Sequence, residues 1–222
     1  MQYVPEFEDV LNSYLKIDNA DVYVTGSNSK FLSSDIITEF RGRGDQIHVY
    51  PLSFAEFMSV RNDHPSDAWR EYYTFGGLPH VLALETPNKK IEYLKEIYST
   101  VYVKDIVERY KLRGEAELKE LLLVISSAIG SPTNPNKLAN TFKSLKNVTL
   151  SNKTIDNYLT YFCESFLVNK SIRYDIKGKK YINTLSKYYF TDVGVRNAIL
   201  DFRQQEENHI MENIIYNELC NR

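Results

Sequence analysis

The 222-residue sequence has little cysteine and no long apolar run. Its two cysteines, Cys163 and Cys220, stand far apart and match no C-x-x-C or metal-binding spacing. This argues against a disulfide framework and favours a reducing compartment. No stretch approaches the roughly 18 apolar residues of a membrane span, and the first residues lack the basic and apolar regions of a secretory signal. We therefore expect a cytoplasmic globular protein with no membrane partner.

Several catalytic motifs are also missing. The Walker A motif G-x-x-x-x-G-K-[ST], whose backbone amides cradle phosphates, does not occur, and no apolar run ends in an Asp-Glu pair. The four histidines show no H-E-x-x-H spacing, so we predict no metal site. Gly42-Arg43-Gly44 begins like a dinucleotide fingerprint but lacks the third glycine, and the S-x-x-K match at 27–30 lacks its companion motifs.

The first sixty residues alternate between helical and strand patterns. We predict helices over 5–17 and 31–40, strands at 21–24 and 46–50, and a further helix that begins at Ser53. Glu56 follows Ser53 by three residues, which is the spacing of a capping box. Such alternation is typical of a parallel α/β sheet, but two strands alone cannot form a covered one. We therefore expect part of a larger sheet.

The middle of the chain has helical periodicity. A turn at 76–79 precedes a long helix predicted over 88–111, and a second helix is predicted over 115–129. In the second helix Leu118, Leu121, Leu122 and Ile125 share the inward face, and Gly130 is the expected stop.

The stretch from 131 to 190 is basic, with ten lysines and arginines against three acids. It contains a short helix at 136–145, a helix at 152–168 and two strands, 171–176 and 181–185, joined by a turn at 177–180. With the preceding helix at 115–129, these make three helices followed by a basic hairpin. This is the pattern of a winged helix-turn-helix, with 152–168 in the recognition position. A solvated basic face, a protein-binding module or a structural unit would give the same pattern.

The order of several segments resembles one known family. They are Tyr23–Ser29, Leu32–Ser34, Arg41–Arg43, Tyr50–Phe57, Phe75–Pro79, Lys104–Ile106, Thr154–Leu159, Asp175–Lys179, Lys187–Gly194 and Glu212–Leu219. Together they resemble the bacterial and archaeal AAA-type ATPases with a C-terminal winged-helix and restriction-nuclease-like domain of unknown function. The resemblance covers essentially the whole chain.

This resemblance implies a role for four residues near the N-terminus. Asn28 and Ser27 match the sensor-1 turn, where a polar side chain faces the γ-phosphate of ATP. Arg43, with Arg41 as the second choice, matches an arginine that neutralises phosphate charge. The local sequence alone fits an ordinary turn at Ser27 and Asn28 equally well, and for Arg41 and Arg43 it favours surface arginines of a loop. ATP and magnesium are thus the cofactors implied for the full-length parent protein.

The resemblance also implies that the chain is a fragment. The expected fold class is an α/β remnant of an AAA-type P-loop domain, followed by a mainly helical linker and a winged helix (α+β). Residues 1–62 would end the ATP-binding domain, 63–130 form the linker, 131–192 the winged helix, and 193–222 begin a truncated nuclease-like domain. Glu212 would be the first acid of that last domain. Because Walker A and Walker B are missing, we expect this chain neither to hydrolyse ATP nor to bind it tightly.

A second hypothesis is a DNA-binding or protein-interaction module. Lys153 in the recognition helix and Lys177, Lys179 and Lys180 in the wing would then contact phosphates. A protein client or a second copy of the chain is the alternative partner. A third hypothesis is a structural remnant without activity, whose exposed strand edges would promote aggregation.

Overall fold

A computed structural model describes residues 7–14, 16–26, 45, 47–146, 150–172, 185–203 and 207–222. This part of the chain is mainly helical, with one two-stranded sheet. The helices are α1 (Phe7–Tyr14), α2 (Phe54–Ser59), α3 (Pro65–Phe75), α4 (Pro79–Leu82), α5 (Pro87–Glu96), a π-helical segment (Ile97–Lys104), α6 (Asp105–Arg109), α7 (Glu115–Ser127), α8 (Pro135–Lys146), α9 (Asn152–Glu164), α10 (Val193–Ile199) and α11 (Glu207–Cys220). The strands are β1 (Val168–Ile172) and β2 (Ser186–Phe190).

The two strands predicted near the N-terminus are not strands in the structure. Residues 21–26 and 47–50 have no regular secondary structure, and Tyr23, Ile47 and Val49 are 81%, 79% and 85% exposed. A strand needs a neighbour for its backbone N–H and C=O groups, and the described residues offer none here. The predicted parallel sheet is therefore not formed in this part of the chain. The helix predicted at 31–40 lies outside the described residues.

The start of α2 follows the predicted capping box. The Ser53 hydroxyl accepts a hydrogen bond from the Glu56 backbone N–H, and the Glu56 carboxylate accepts one from the Ser53 backbone N–H at 2.8 Å. The bond from the Ser53 backbone N–H, and then a bond from the Ser53 hydroxyl to the same carboxylate, hold the pKa of Glu56 below its usual value. The helix therefore begins where the sequence predicts.

The long helix predicted over 88–111 is present as a continuous helical run from α5 through the π-helical segment to α6. Its buried side chains include Leu94, Val103 and Ile106. Helix α7 buries Leu118, Leu121, Leu122 and Ile125, which is the inward face that the periodicity predicts.

The chain then runs through α8 and α9 into the antiparallel pair of β1 and β2, whose register extends from Val168↔Phe190 to Ile172↔Ser186. A bridge between Thr133 and Ser186 adds a third, one-residue pairing. Strand β1 begins three residues earlier than predicted, because Val168 is fully buried and joins the main core. Strand β2 begins after the predicted one ends, and its Phe190 is also fully buried in that core. Most of the predicted hairpin, at 173–184, lies outside the described residues.

Helix α10 connects two hydrophobic cores. The main core joins α7, α8, α9 and the sheet, and it receives Val195, Ala198 and Ile199 of α10. A smaller core receives Val193, and its other buried members are Phe57, Ala68, Tyr72, Ile210 and Ile214. All seven residues of α10 are buried. The helix thus packs against both cores and contributes to holding α2, α3 and α11 against the rest.

The close contact at the start of α10 gives a stability prediction. A Cβ atom at Gly194 would lie 2.0 Å from the Phe75 carbonyl oxygen, which is a backbone atom. We expect Gly194→Ala to lower the free energy of unfolding by about 1–3 kcal/mol, the usual cost of overpacking, as measured by urea denaturation. Gly114→Ala is the control, because its nearest atoms are the ends of the Glu117 and Tyr158 side chains. Equal losses in both variants would contradict the prediction.

Candidate functional site

Most of the predicted contact residues lie outside the described part of the chain. These are Ser27, Asn28, Arg41, Arg43, Lys177, Lys179 and Lys180. Lys153 is described, and it is exposed in the first turn of α9. Ser151 caps this helix by accepting a hydrogen bond from the Thr154 N–H at 3.0 Å. Asn152, Asp156 and Asn157 are exposed around Lys153, so this side of α9 is polar and carries one lysine beside one carboxylate.

A buried carboxylate lies where several elements meet. Asp192 is 4% exposed and caps α10, accepting a hydrogen bond from the Val195 N–H at 3.0 Å. Its second oxygen accepts one from the Gly77 N–H at 2.8 Å. Backbone N–H groups of Gly194 and Leu78 also bond to this carboxylate. We call Asp192, Gly76–Leu78 and Gly194–Val195 the Asp192 junction.

The junction requires glycine at its closest approach. Gly76 has a φ of +78°, and a Cβ atom there would lie 2.2 Å from the Asp192 Oδ1 atom. Both the positive φ and the lack of space exclude larger side chains. The sequence segments Phe75–Pro79 and Lys187–Gly194, which are far apart in the chain, therefore fit each other in space.

The hydrogen bonds of Asp192 indicate that the Asp192 junction has a structural role. Burial raises the pKa of Asp192 to about 6, although the backbone N–H groups oppose the shift. The carboxylate oxygens are directed at backbone donors, which leaves them poorly placed to act as metal ligands or as a base. The described residues also contain no group of three or more His, Cys, Asp or Glu side chains that could hold a metal ion.

The residues before α2 are fixed to the helical body near this junction. The Leu52 N–H donates to the Gly77 carbonyl at 2.9 Å, and the Tyr72 hydroxyl donates to the Leu52 carbonyl at 2.8 Å. The Phe54 N–H donates to the Glu218 carboxylate at 2.7 Å. A cavity of about 10 Å³ between Leu52, Tyr72 and Asp192 has room for about one water molecule. Leu52 and Phe54 are thereby connected to α3 and α11.

Buried amide side chains complete the backbone hydrogen bonds around the junction. Asn197 donates to the Tyr73 and Thr74 carbonyls, both at 2.9 Å. Asn213 of α11 accepts from the Phe190 N–H at 2.6 Å and donates to the Phe190 carbonyl at 2.7 Å. The ends of α3 and β2 therefore have side-chain partners where regular backbone pairing stops.

Glu212, the acid that the resemblance assigns to a nuclease-like domain, is engaged with β2. It accepts hydrogen bonds from the Lys187 ammonium at 2.7 Å and the Tyr189 hydroxyl at 2.6 Å. Burial opposes the charge of this carboxylate, but the bonds from Lys187 and Tyr189 hold the pKa of Glu212 below its usual value. Its contacts in the described residues are those of a residue that attaches α11 to the sheet.

Sequence reasoning had not identified Asp192 as a site residue. The available signal was an Asp directly before the helical run that starts at Val193, which is typical of an N-cap. Its second partner, Gly77, lies 115 residues away in the chain. No local pattern could reveal that contact.

Comparisons with known proteins give two family matches. Residues 66–206 match the model described as a domain of unknown function (DUF8612), and residues 1–58 match an AAA domain. An uncharacterized protein of Haemophilus influenzae is 34% identical over 227 residues, covering 100% of this chain and 56% of that protein. An uncharacterized protein of Methanocaldococcus jannaschii is 31% identical over 214 residues, covering 91% of this chain and 47% of that protein. The chain spans about half the length of these curated relatives.

The described helices include none with the length and apolar character needed to cross a membrane.

The buried carboxylate gives a pH prediction. Because the pKa of Asp192 rises from 3.8 in the unfolded chain to about 6 in the folded one, the folded chain retains this proton to higher pH. The contribution to the free energy of unfolding therefore falls as pH rises from about 4 to about 6, by roughly 3 kcal/mol in total, and then levels off. Denaturation as a function of pH measures this slope.

Asp192→Asn should remove that slope, because the amide does not titrate. It should also cost about 1–3 kcal/mol, because an NH₂ group would face backbone donors. Asp67→Asn, at an exposed position in the first turn of α3, is the control and should keep the slope. If Asp192→Asn and the parent chain lost stability in parallel between pH 4 and 6, the assignment would be wrong.

Proposed function

Because the chain belongs to the family described as a domain of unknown function (DUF8612), and its first residues match an AAA domain, we propose that it is the part of an AAA-type ATPase that joins the nucleotide site to a winged-helix module. The AAA-domain match over residues 1–58 carries this proposal. That match ends within α2, whose Phe57 is fully buried in the smaller core. The two matched regions therefore share a packed boundary.

In this proposal the N-terminal residues contribute to ATP turnover. Asn28 and Ser27 are the residues that face the γ-phosphate, and Arg43, with Arg41 as the second choice, neutralises charge that develops on the transferred phosphoryl group. The remaining phosphate contacts and Mg²⁺ need Walker A and Walker B residues, which the 222 residues lack. In this proposal those groups are supplied by residues outside these 222.

The contacts around α2 suggest how ATP turnover reaches the helical body. Arg43 precedes Leu52 by nine residues, and Leu52 is bonded to Gly77 of the Asp192 junction and to Tyr72. Phe54 is bonded to Glu218 of α11. A change in position at the phosphate contacts would therefore act on α3 and α11 through the backbone.

The ATPase proposal is tested first on the chain itself. We expect purified residues 1–222 to show no Mg²⁺-dependent ATP hydrolysis in a phosphate-release assay, because no Walker A backbone cradles the phosphates. Turnover that depends on the metal would contradict this assignment.

The second arm of the test uses the longer form. The DNA before the reading frame should encode, in frame, a Walker A motif and an Asp-Glu pair, and the extended protein should hydrolyse ATP. Arg43→Ala should then lower kcat by about 10³-fold or more, the usual effect of losing an arginine finger. An unchanged kcat would remove Arg43 from the site, and a stop codon in place of the motif would overturn the proposal.

A second candidate function, DNA binding, is supported by the arrangement around α9. Helices α7, α8 and α9 precede the β1–β2 hairpin, and Thr133 pairs with β2 on its other side. This order of elements is that of a winged helix. Asn152, Lys153 and Asn157 of α9 are exposed, and such side chains read base edges and phosphates in the major groove.

The DNA candidate is tested by salt dependence. Replacing Lys177, Lys179 and Lys180 together by Ala should weaken binding to duplex DNA and reduce the slope of log K against log salt by about 0.9 for each phosphate contact removed. Lys119→Ala, on α7 and paired with Glu115, is the matched control. If both variants kept the slope of the parent chain, the wing would not be the contact surface.

A further inference from the structure

The helical run between α5 and α6 changes its backbone pattern over Ile97–Lys104, where it is π-helical. A π-helix bonds each N–H to the carbonyl five residues earlier instead of four, so the segment holds about one residue more than an α-helix between the same ends. β-Branched and aromatic side chains lose freedom in an α-helix, and serine competes for its backbone bonds. Every residue of the segment except Lys104 belongs to these classes, so the α-helical pattern is only weakly favoured there.

Two hydroxyl groups bond to the carbonyl at the start of the π-helical segment. The Ser99 hydroxyl donates to the Glu96 carbonyl at 3.2 Å, and the Thr100 hydroxyl donates to it at 2.6 Å. In an α-helix the same carbonyl would accept the Thr100 backbone N–H. The hydroxyls therefore provide this carbonyl with a donor that does not depend on the helical pattern. Ser99 and Thr100 are both exposed, so a change of pattern here does not disturb the core.

Helix α6, which follows the π-helical segment, has two unfavourable features in its present register. The Arg109 Nη2 atom donates to the Asp105 carboxylate at 2.8 Å, but Nε and Nη1 of Arg109 are buried without an acceptor among the described residues. Buried donors without a partner cost free energy. Lys111, just after the helix, has a φ of +50°, which is unfavourable for a residue other than glycine. These costs lower the free-energy gap to another register of α6.

The π-helical segment lies between the Asp192 junction and α9. Tyr110, at the end of α6, stacks on Tyr161 of α9 with 3.7 Å between ring centroids, and its hydroxyl donates to the Glu164 carboxylate. On the other side, the segment packs against α10. Burial, and then the charge of Asp192, raise the pKa of Tyr102 to about 12, which places Tyr102 near the buried carboxylate. One continuous helical run therefore contacts both places.

We propose that Ile97–Lys104 is a register switch, in which the extra residue moves between this segment and the loop at 111–114 and α6 turns with it. A shift by one residue rotates an α-helix by about 100° and moves it about 1.5 Å along its axis. This movement takes Tyr110 away from Tyr161 and Glu164, so α9 loses a contact when α6 changes register. The switch depends on neither candidate function, but it would connect the Asp192 junction to the helix that is the candidate for DNA contact.

Deletion of Thr100 tests whether the segment contains a removable residue. The deletion should convert the run into a continuous α-helix with α5 and α6 in place, so the midpoint of urea denaturation should stay within about 10% of that of the parent chain. Deletion of Asn140 is the matched control, because Asn140 is exposed in the middle of α8, which is α-helical throughout. It turns the fully buried Phe142 by about 100° and should lower the midpoint by about a third or more. Equal losses in both deletions would overturn the proposal.

Relaxation dispersion on the ¹⁵N-labelled full chain tests the movement itself. The amides of Tyr110, Tyr161 and Glu164 should share one exchange process on the microsecond-to-millisecond timescale, and the Thr100 deletion should abolish it. Tyr110→Phe removes the bond to Glu164 and should raise the population of the minor state at least about threefold. Tyr216→Phe, in the stacked pair with Tyr189, is the control and should leave that population unchanged.

Three results of this measurement would overturn the switch. The first is flat dispersion at all three amides in both the parent chain and Tyr110→Phe. The second is exchange that persists unchanged after deletion of Thr100. The third is an equal response to Tyr110→Phe and Tyr216→Phe, which would show that the exchange is not specific to α6.

Discussion

The buried carboxylate of Asp192 is the interaction on which the rest of the structure depends. Burying a charge is costly unless hydrogen-bond donors replace the lost water, and here the donors are backbone N–H groups from two separate parts of the chain. One part is the glycine turn after α3, and the other is the first turn of α10. Because α10 is fully buried between the two cores, fixing its first turn also fixes the helices that pack on either side of it.

Sequence patterns within a short segment were sufficient to predict the elements that depend only on contacts between residues close in the chain. The capping box at Ser53, the inward face of α7 and the run of helix through Ile106 follow from spacing along the chain. The strands predicted at 21–24 and 46–50 illustrate the opposite case, because a strand exists only if another segment pairs with it. Ile47 and Val49 are residue types that favour strands, but they are exposed and have no pairing partner among the described residues.

The candidate site was predictable in part for the same reason. The exposure of Lys153 followed from the helical periodicity of α9, whereas the contact between Asp192 and Gly77 spans 115 residues and has no local signature. The family resemblance placed the two halves of the junction in the correct order along the chain, but it did not indicate that they touch.

The Asn213 side chain has a consequence for self-association. Its amide occupies both backbone groups of Phe190 at the end of β2, and Thr133 occupies those of Ser186 at the beginning, so in the described part of the chain the sheet can be extended only along β1. A second copy could add to this sheet only by presenting its own β1, and that contact would be isologous. Such a contact uses up both open edges at once. Through the described residues, edge-to-edge pairing of this sheet would therefore stop at a closed dimer instead of propagating into a fibre.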